Sequence, residues 1–210
     1  MAKENIKSIV VDVRNTSEGM MEYAAKVIDL FVPLATEGNK AIALAVNKKG
    51  DTVETFTSDA KDYAGQICVL VNRNTQGPAE LFACDLRDFD KAQLIGEITK
   101  GNGKRQQVFN LSDGGAIVLT TASILPYKSE SFDGVGVAPD VEVALTQEQL
   151  EQLEILPHDQ DTQLQRRLKC SVAFDGIGGL WKFESAVKNW KRAAKAHCLQ
   201  HAFFGCYRFC

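Results

Sequence analysis

VLVNRNTQGPAELFACDLRD, residues 69–88, runs from an apolar segment into a helix through the turn Thr75-Gln76-Gly77-Pro78. The run ICVLV (Ile67–Val71) has the continuous apolar pattern of a strand buried on both faces. The chain from Ala79 to about Arg87 reads as helix. A tight strand-to-helix turn is where many hydrolases hold a nucleophile. Here that turn carries a glycine followed by a proline, and neither has a reactive side chain.

The elements on either side extend the pattern. SIVVDV (Ser8–Val13) is a second doubly buried strand. Ser17 is placed to cap a helix reaching about Phe31, with Met21, Ala24, Val27, Ile28 and Phe31 on one stripe and Pro33 as the stop. AIALAV and TVETFT flank NKKGD, a hairpin signal in which Gly50 supplies the positive φ. AQLIGE is a short strand and GNG a loop, and QVFNL with AIVLTTA makes another hairpin around SDGG. Thr146 and Gln149 form a capping box that opens an acidic helix broken near Pro157. Strands interleaved with helices and hairpins give an α/β domain.

Composition narrows the partners. The chain has 210 residues, 45% apolar and 24% charged, enough for one globular domain with a sizeable core. A net charge of −3 gives no reason to expect nucleic acid or an anionic membrane as partner. There is no apolar run long enough to span a bilayer, and the start MAKENIKSIVVDV lacks a signal-peptide pattern, so the chain as written is expected in the cytoplasm. The charge is unevenly spread. Residues 169–210 hold five Lys and two Arg against two acidic residues, together with both tryptophans, five of eleven phenylalanines and four of six cysteines. The domain expectation is therefore a core over 1–145, an acidic helical segment over 146–168, and a basic, aromatic tail over 169–210 expected to pack poorly or not at all onto the core.

Four segments carry a resemblance. VVDVRNTSEG is similar to a strand ending in D-L-R-G-N-P-G-G, and residues 69–88 to V-N-x-x-S-A-S-A-S-E-I-x-A-x-A-L-x-D. GEITKGNGKRQQVFNLSDGGAIVLTTA is similar to G-E-x-T-F-G-K-G-x-x-Q followed by L-S-D-G-S-A-x-x-L-T-T-A, and GVGVAPDVEV (Gly134–Val143) follows in order. In this order and spacing they resemble the C-terminal processing (tail-specific) serine peptidase family. The resemblance implies a crotonase-like α/β core that grips unstructured protein C-termini or peptides and cleaves them with a Ser/Lys dyad. It calls for no cofactor and no metal. Members usually carry an export or anchor segment and a PDZ domain, and neither pattern is seen here.

The match fails where the chemistry would sit. The nucleophile position falls on Gly77 and the general-base position on Asn102, and a neutral amide cannot take a proton from a hydroxyl near pH 7. One oxyanion donor would be the N–H of the next residue, here Pro78, which has none. The other comes from the glycines of N-P-G-G, where this chain reads Thr16-Ser17-Glu18-Gly19, and Glu18 would repel a developing oxyanion. Gln106, matching the family's helper glutamine, survives. Thr75, Lys100 and Lys104 lie two residues from the dyad positions, a slip of roughly 6 Å that takes them out of hydrogen-bond reach. The expectation is a non-catalytic peptide-binding domain. An active serine-type endopeptidase of a divergent branch and a non-functional gene fragment are the alternatives.

Other groups read as structural. Asp12 and Arg14 fit an ion pair at a strand end, and Cys68 and Cys84 fit buried packing residues. GEITKGNGKR lacks the G-K-[S/T] ending of a phosphate loop. Cys198, His201, Cys206 and Cys210 are spaced only loosely like zinc ligands and show no rigid knuckle.

Overall fold

The structure, a computed structural model, describes residues 8–33, 41–58 and 65–166. The expectations for the 169–210 tail lie outside the described residues. In chain order the elements are β1 (Ser8–Asp12), α1 (Met21–Ile28), β2 (Ala43–Val46), β3 (Thr52–Phe56), β4 (Gln66–Val71), α2 (Pro78–Asp88), β5 (Ala92–Gly96), β6 (Lys104–Asn110), β7 (Ala116–Pro126), β8 (Val141–Glu142) and α3 (Gln147–Glu151). They form two four-stranded sheets: one parallel, ordered β1-β4-β5-β8, and one antiparallel, ordered β3-β2-β7-β6.

The parallel sheet explains the unbroken apolar runs. Ile9 pairs with Ile67 and Val11 with Val69, and these face a core shared with α1, α2 and the inner face of the antiparallel sheet. Val10, Cys68, Leu70 and Ile95 face the other way and pack with Leu164. Both faces are thus buried, as the runs require. Cys68 and Cys84 are packing residues, 5% and 1% exposed, and burial, with the charge of Asp88, pushes the Cys84 thiol up to about 12.

Asp12 and Arg14 do form a structural ion pair, and it is larger than the two residues. Arg14 Nε and Nη2 donate to Asp12 at 2.8 and 2.6 Å, Nη2 also reaches Asp161 at 2.7 Å, and Nη1 reaches Gln163 at 3.0 Å. Gln163 in turn donates to the Val143 carbonyl at 2.7 Å. Burial alone would lower the pKa of this guanidinium, but hydrogen bonds and charges from Asp12 and Asp161 outweigh it and raise it. Arg14 thereby straps residues 161–166 to the end of β1.

Some boundaries differ from the sequence expectation. Ser17 does not cap α1: the helix starts at Met21, after Met20, with no side-chain cap. The carbonyls of Thr16 and Ser17 instead accept from the backbone and side chain of Gln76, holding residues 16–17 against the 75–78 turn. The helix ends at Ile28, although Phe31 stays buried beyond it. The Thr146–Gln149 capping box is present, at 3.0 and 3.2 Å, but α3 lasts only five residues. β8 was not anticipated; two residues give no periodicity to read.

On α2, Asp85 is fully buried, and its Oδ1 accepts from the Tyr127 N–H at 2.9 Å. Its Oδ2 has no partner among the described residues. Burial pushes this carboxyl well above the usual range; the Tyr127 bond opposes the shift and the Asp88 charge adds to it. A raised folded pKa contributes stability that is complete below the unfolded carboxylate value of about 3.9 and is lost as pH rises through the folded value. Asp85→Asn is therefore expected to be more stable than the parent at neutral pH, with the gap closing toward about pH 4. Thermal melts of both proteins across that range check this; parallel profiles would show that Asp85 is not the source.

Candidate active site

The site is built at the C-terminal ends of β1 and β4. After β4, Asn72 turns the chain: its Oδ1 accepts from the N–H groups of Asn15 and Asn74 at 3.0 and 3.1 Å, and its Nδ2 donates to Asn15 at 2.8 Å. Asn15 meets this with a positive φ of 56°, which asparagine tolerates better than most residues. Thr75 is fully buried. Its hydroxyl lies 3.0 Å from the Val13 carbonyl, to which it donates, and accepts from the Asn72 N–H at 3.0 Å. That hydroxyl is committed to the turn and points away from solvent, so it offers no nucleophile.

Gly77 follows with φ +63° and ψ −121°, and Pro78 opens α2 at the first helical position, where its missing N–H costs nothing. That φ is one that side-chain-bearing residues rarely adopt. Glu80, three residues on and fully buried, gathers the surroundings. Its carboxylate accepts from the N–H groups of Gly77 at 2.9 Å, Gly101 at 2.6 Å and Asn102 at 2.7 Å, and from the Thr99 hydroxyl. This is half a capping box; glycine has no side chain for the other half. The Thr99 hydroxyl also accepts from the Val137 N–H at 2.7 Å, and Gly101 packs against the 132–136 turn so closely that a Cβ would come within 2.7 Å of the Gly136 nitrogen.

The result is a cleft of about 280 Å³ whose lining includes Glu18, Gly19, Gly77, Pro78, Asn102 and Gln106. The positions matched to the nucleophile, the base and the helper glutamine thus meet at one cleft. A Cβ on Gly77 would stand 4.0 Å from the Asn102 carbonyl oxygen, so the two positions are neighbours in the cleft. Lys104 also lines the cleft, with its amine 3.9 Å from Asp133 and its side chain 53% exposed, whereas Lys100 does not. Arg105 is neutralised by Glu22 and Glu54, at 2.6 and 2.5 Å. Of the two backbone N–H groups next to the nucleophile position, that of Gly77 is given to Glu80 and Pro78 has none. At the positions matched to the nucleophile and the base the cleft therefore carries a glycine and an asparagine. Glu80 and Thr99 were the structural residues that sequence reasoning passed over; the available signal was Glu80 at the third position of a helix.

The family model for peptidase family S41 matches residues 1–143. The chain belongs to that family. It is 30% identical over 141 residues to the carboxyl-terminal-processing protease of Synechocystis, covering 67% of this chain and 32% of that protein. It is 29% identical over 144 residues to carboxyl-terminal-processing peptidase 3, chloroplastic, of Arabidopsis thaliana, covering 68% and 27%. Among solved structures, the photosystem II D1 C-terminal processing protease superposes with a TM-score of 0.61 at 28% identity, covering 79% of this chain and 39% of that one. The chain thus spans roughly a third of the length of these relatives. Among the described residues no helix is long and apolar enough to cross a membrane.

Glu80→Ala would strand three N–H groups and a hydroxyl, each costing about 1–3 kcal/mol when buried and unpaired. We expect it to lose more than ~3 kcal/mol in urea unfolding, while Asn102→Ala stays within ~0.5 kcal/mol because only its backbone takes part in the tie. Equal losses would show that the tie is not centred on Glu80.

Proposed function

We propose that this chain is a non-catalytic member of the C-terminal processing peptidases that binds unstructured protein C-termini or extended peptides in the cleft. One observation carries the reading. Gly77 and Asn102, the positions that the motif match assigns to nucleophile and base, are neighbours in the cleft, and the Glu80 tie that shapes the turn and loop is present. Glu18 on the cleft wall, which would disfavour a negative tetrahedral intermediate, fits the same reading. A groove that no longer turns over its ligand can still select it by shape. The two sheets with α2 between them are, in this reading, a crotonase-like core, and residues 1–145 are the unit that folds around the cleft.

Two measurements test it. A fluorophosphonate probe, which labels activated serines, should not react, and fluorogenic tail peptides should not be cleaved above background. A fluorescently tagged unstructured peptide with a free C-terminus should nevertheless bind by anisotropy, and Met20→Asp, which puts a charge on the exposed lip of the cleft, should weaken that binding at least ~10-fold. Turnover abolished by Thr75→Ala would restore the reading of a divergent active enzyme. Absence of both turnover and binding would remove the peptide-binding role.

A further inference from the structure

The charges around the cleft do not cancel. Of its lining residues, Glu22 is paired with Arg105, and it shares that one guanidinium with Glu54, at 2.6 and 2.5 Å. Lys104 has the Asp133 carboxylate at 3.9 Å. Glu18 is different: it is exposed, and among the described residues its carboxylate has neither a hydrogen bond nor an ion pair. The lining charges and their partners thus set four carboxylates against two cations, and one of the carboxylates is unanswered.

The backbone gives that carboxylate a fixed place. The carbonyls of Thr16 and Ser17, just before it, accept from the backbone and side chain of Gln76, and α1 begins shortly after it at Met21. The head of a helix ordinarily favours an anion through its free N–H groups. At the head of α2, the Gly77 N–H goes to Glu80 and Pro78 has none. A ligand passing Gly77 therefore finds no such donor there and meets the unpaired Glu18 on the wall.

We propose that the cleft selects peptides with a lysine or arginine in the segment that passes Gly77, its cation held by Glu18. The proposal rests on the peptide-binding reading above and names the class of ligand. A single carboxylate suits one ammonium or guanidinium. A divalent ion would need roughly six oxygen ligands, and Glu22 is already committed to Arg105. Met20, 52% exposed, lines the same cleft and offers the methylene stem an apolar surface while the charge reaches Glu18. An acidic residue at that place is repelled by the same carboxylate, so the selection works in both directions. A bound C-terminus, for the same reason, ends away from Glu18.

Three tagged peptides of one unstructured sequence, differing only in lysine, norleucine or glutamate at one central position, test this by anisotropy. Norleucine keeps the stem and lacks the charge. The full chain should bind the lysine peptide at least ~3-fold tighter than the norleucine peptide and at least ~10-fold tighter than the glutamate peptide. Added salt should shrink both gaps. Glu18→Gln should abolish the gap between lysine and norleucine, and Glu18→Lys should reverse the order of lysine and glutamate. Glu148→Gln on α3 makes the same change in net charge and should leave the order and the gaps as they are. Glu18 is exposed and unbonded among the described residues, so its variants should melt with the parent. Equal binding of all three peptides by the parent would overturn the selection and leave the peptide-binding reading standing. A preference that survives Glu18→Gln, or that Glu148→Gln also removes, would overturn the role of Glu18. If none of the three binds, the peptide-binding reading falls and this inference falls with it.

Discussion

A single buried carboxylate holds the candidate site in shape. Glu80 sits inside the first turn of α2, yet three of its four donors come from the 99–102 loop. The fourth is the N–H of Gly77, at the head of its own helix. Burying an anion is costly unless its oxygens are satisfied, and this one is satisfied by four donors in a small volume. The arrangement makes turn and loop a single object. It also separates two properties that are usually joined, since the tie uses only backbone N–H groups and one threonine hydroxyl. The side chain at 102 can change without disturbing it, whereas the backbone at 77 favours glycine.

The parallel sheet was readable because its strands are buried on both faces, which leaves Ile9-Val10-Val11 and Ile67–Val71 as unbroken apolar runs. What covers the second face was not readable. Leu164 and the Arg14–Asp161 strap come from a distant segment whose sequence shows no strong period, and their meeting is a tertiary fact. The start of α1 was misplaced for a related reason. Ser17 has the right side chain for a cap, but its backbone is taken by Gln76 from another turn, and three further residues pass before the helix begins. Local capping preference lost to a long-range hydrogen bond.

In the site, the positions were legible and their support was not. Gly77, Pro78, Asn102 and Gln106 follow from ordered motif matches, and the structure gathers them around one cleft. In the sequence Glu80 is only one letter of the matched stretch 69–88. Nothing local announces that a carboxylate in a helix will reach a loop about twenty residues later. The β6–β7 hairpin is a third kind of case: its apolar residues, Val108, Phe109, Ile117, Val118 and Leu119, signal strands, but they cannot say whether a covering layer exists, and all five stand exposed.

The tie at Glu80 has a dynamic consequence. Loop amides ordinarily exchange their hydrogens with solvent quickly, because small local openings expose them. The amides of Gly101 and Asn102 end on a carboxylate fully enclosed beneath a helix, so no small fraying of the loop can release them. They can exchange only when the head of α2 and the loop come apart together. Two residues in a stretch without helix or strand would then carry protection typical of the core, and the slowest-breathing part of the cleft would be its loop.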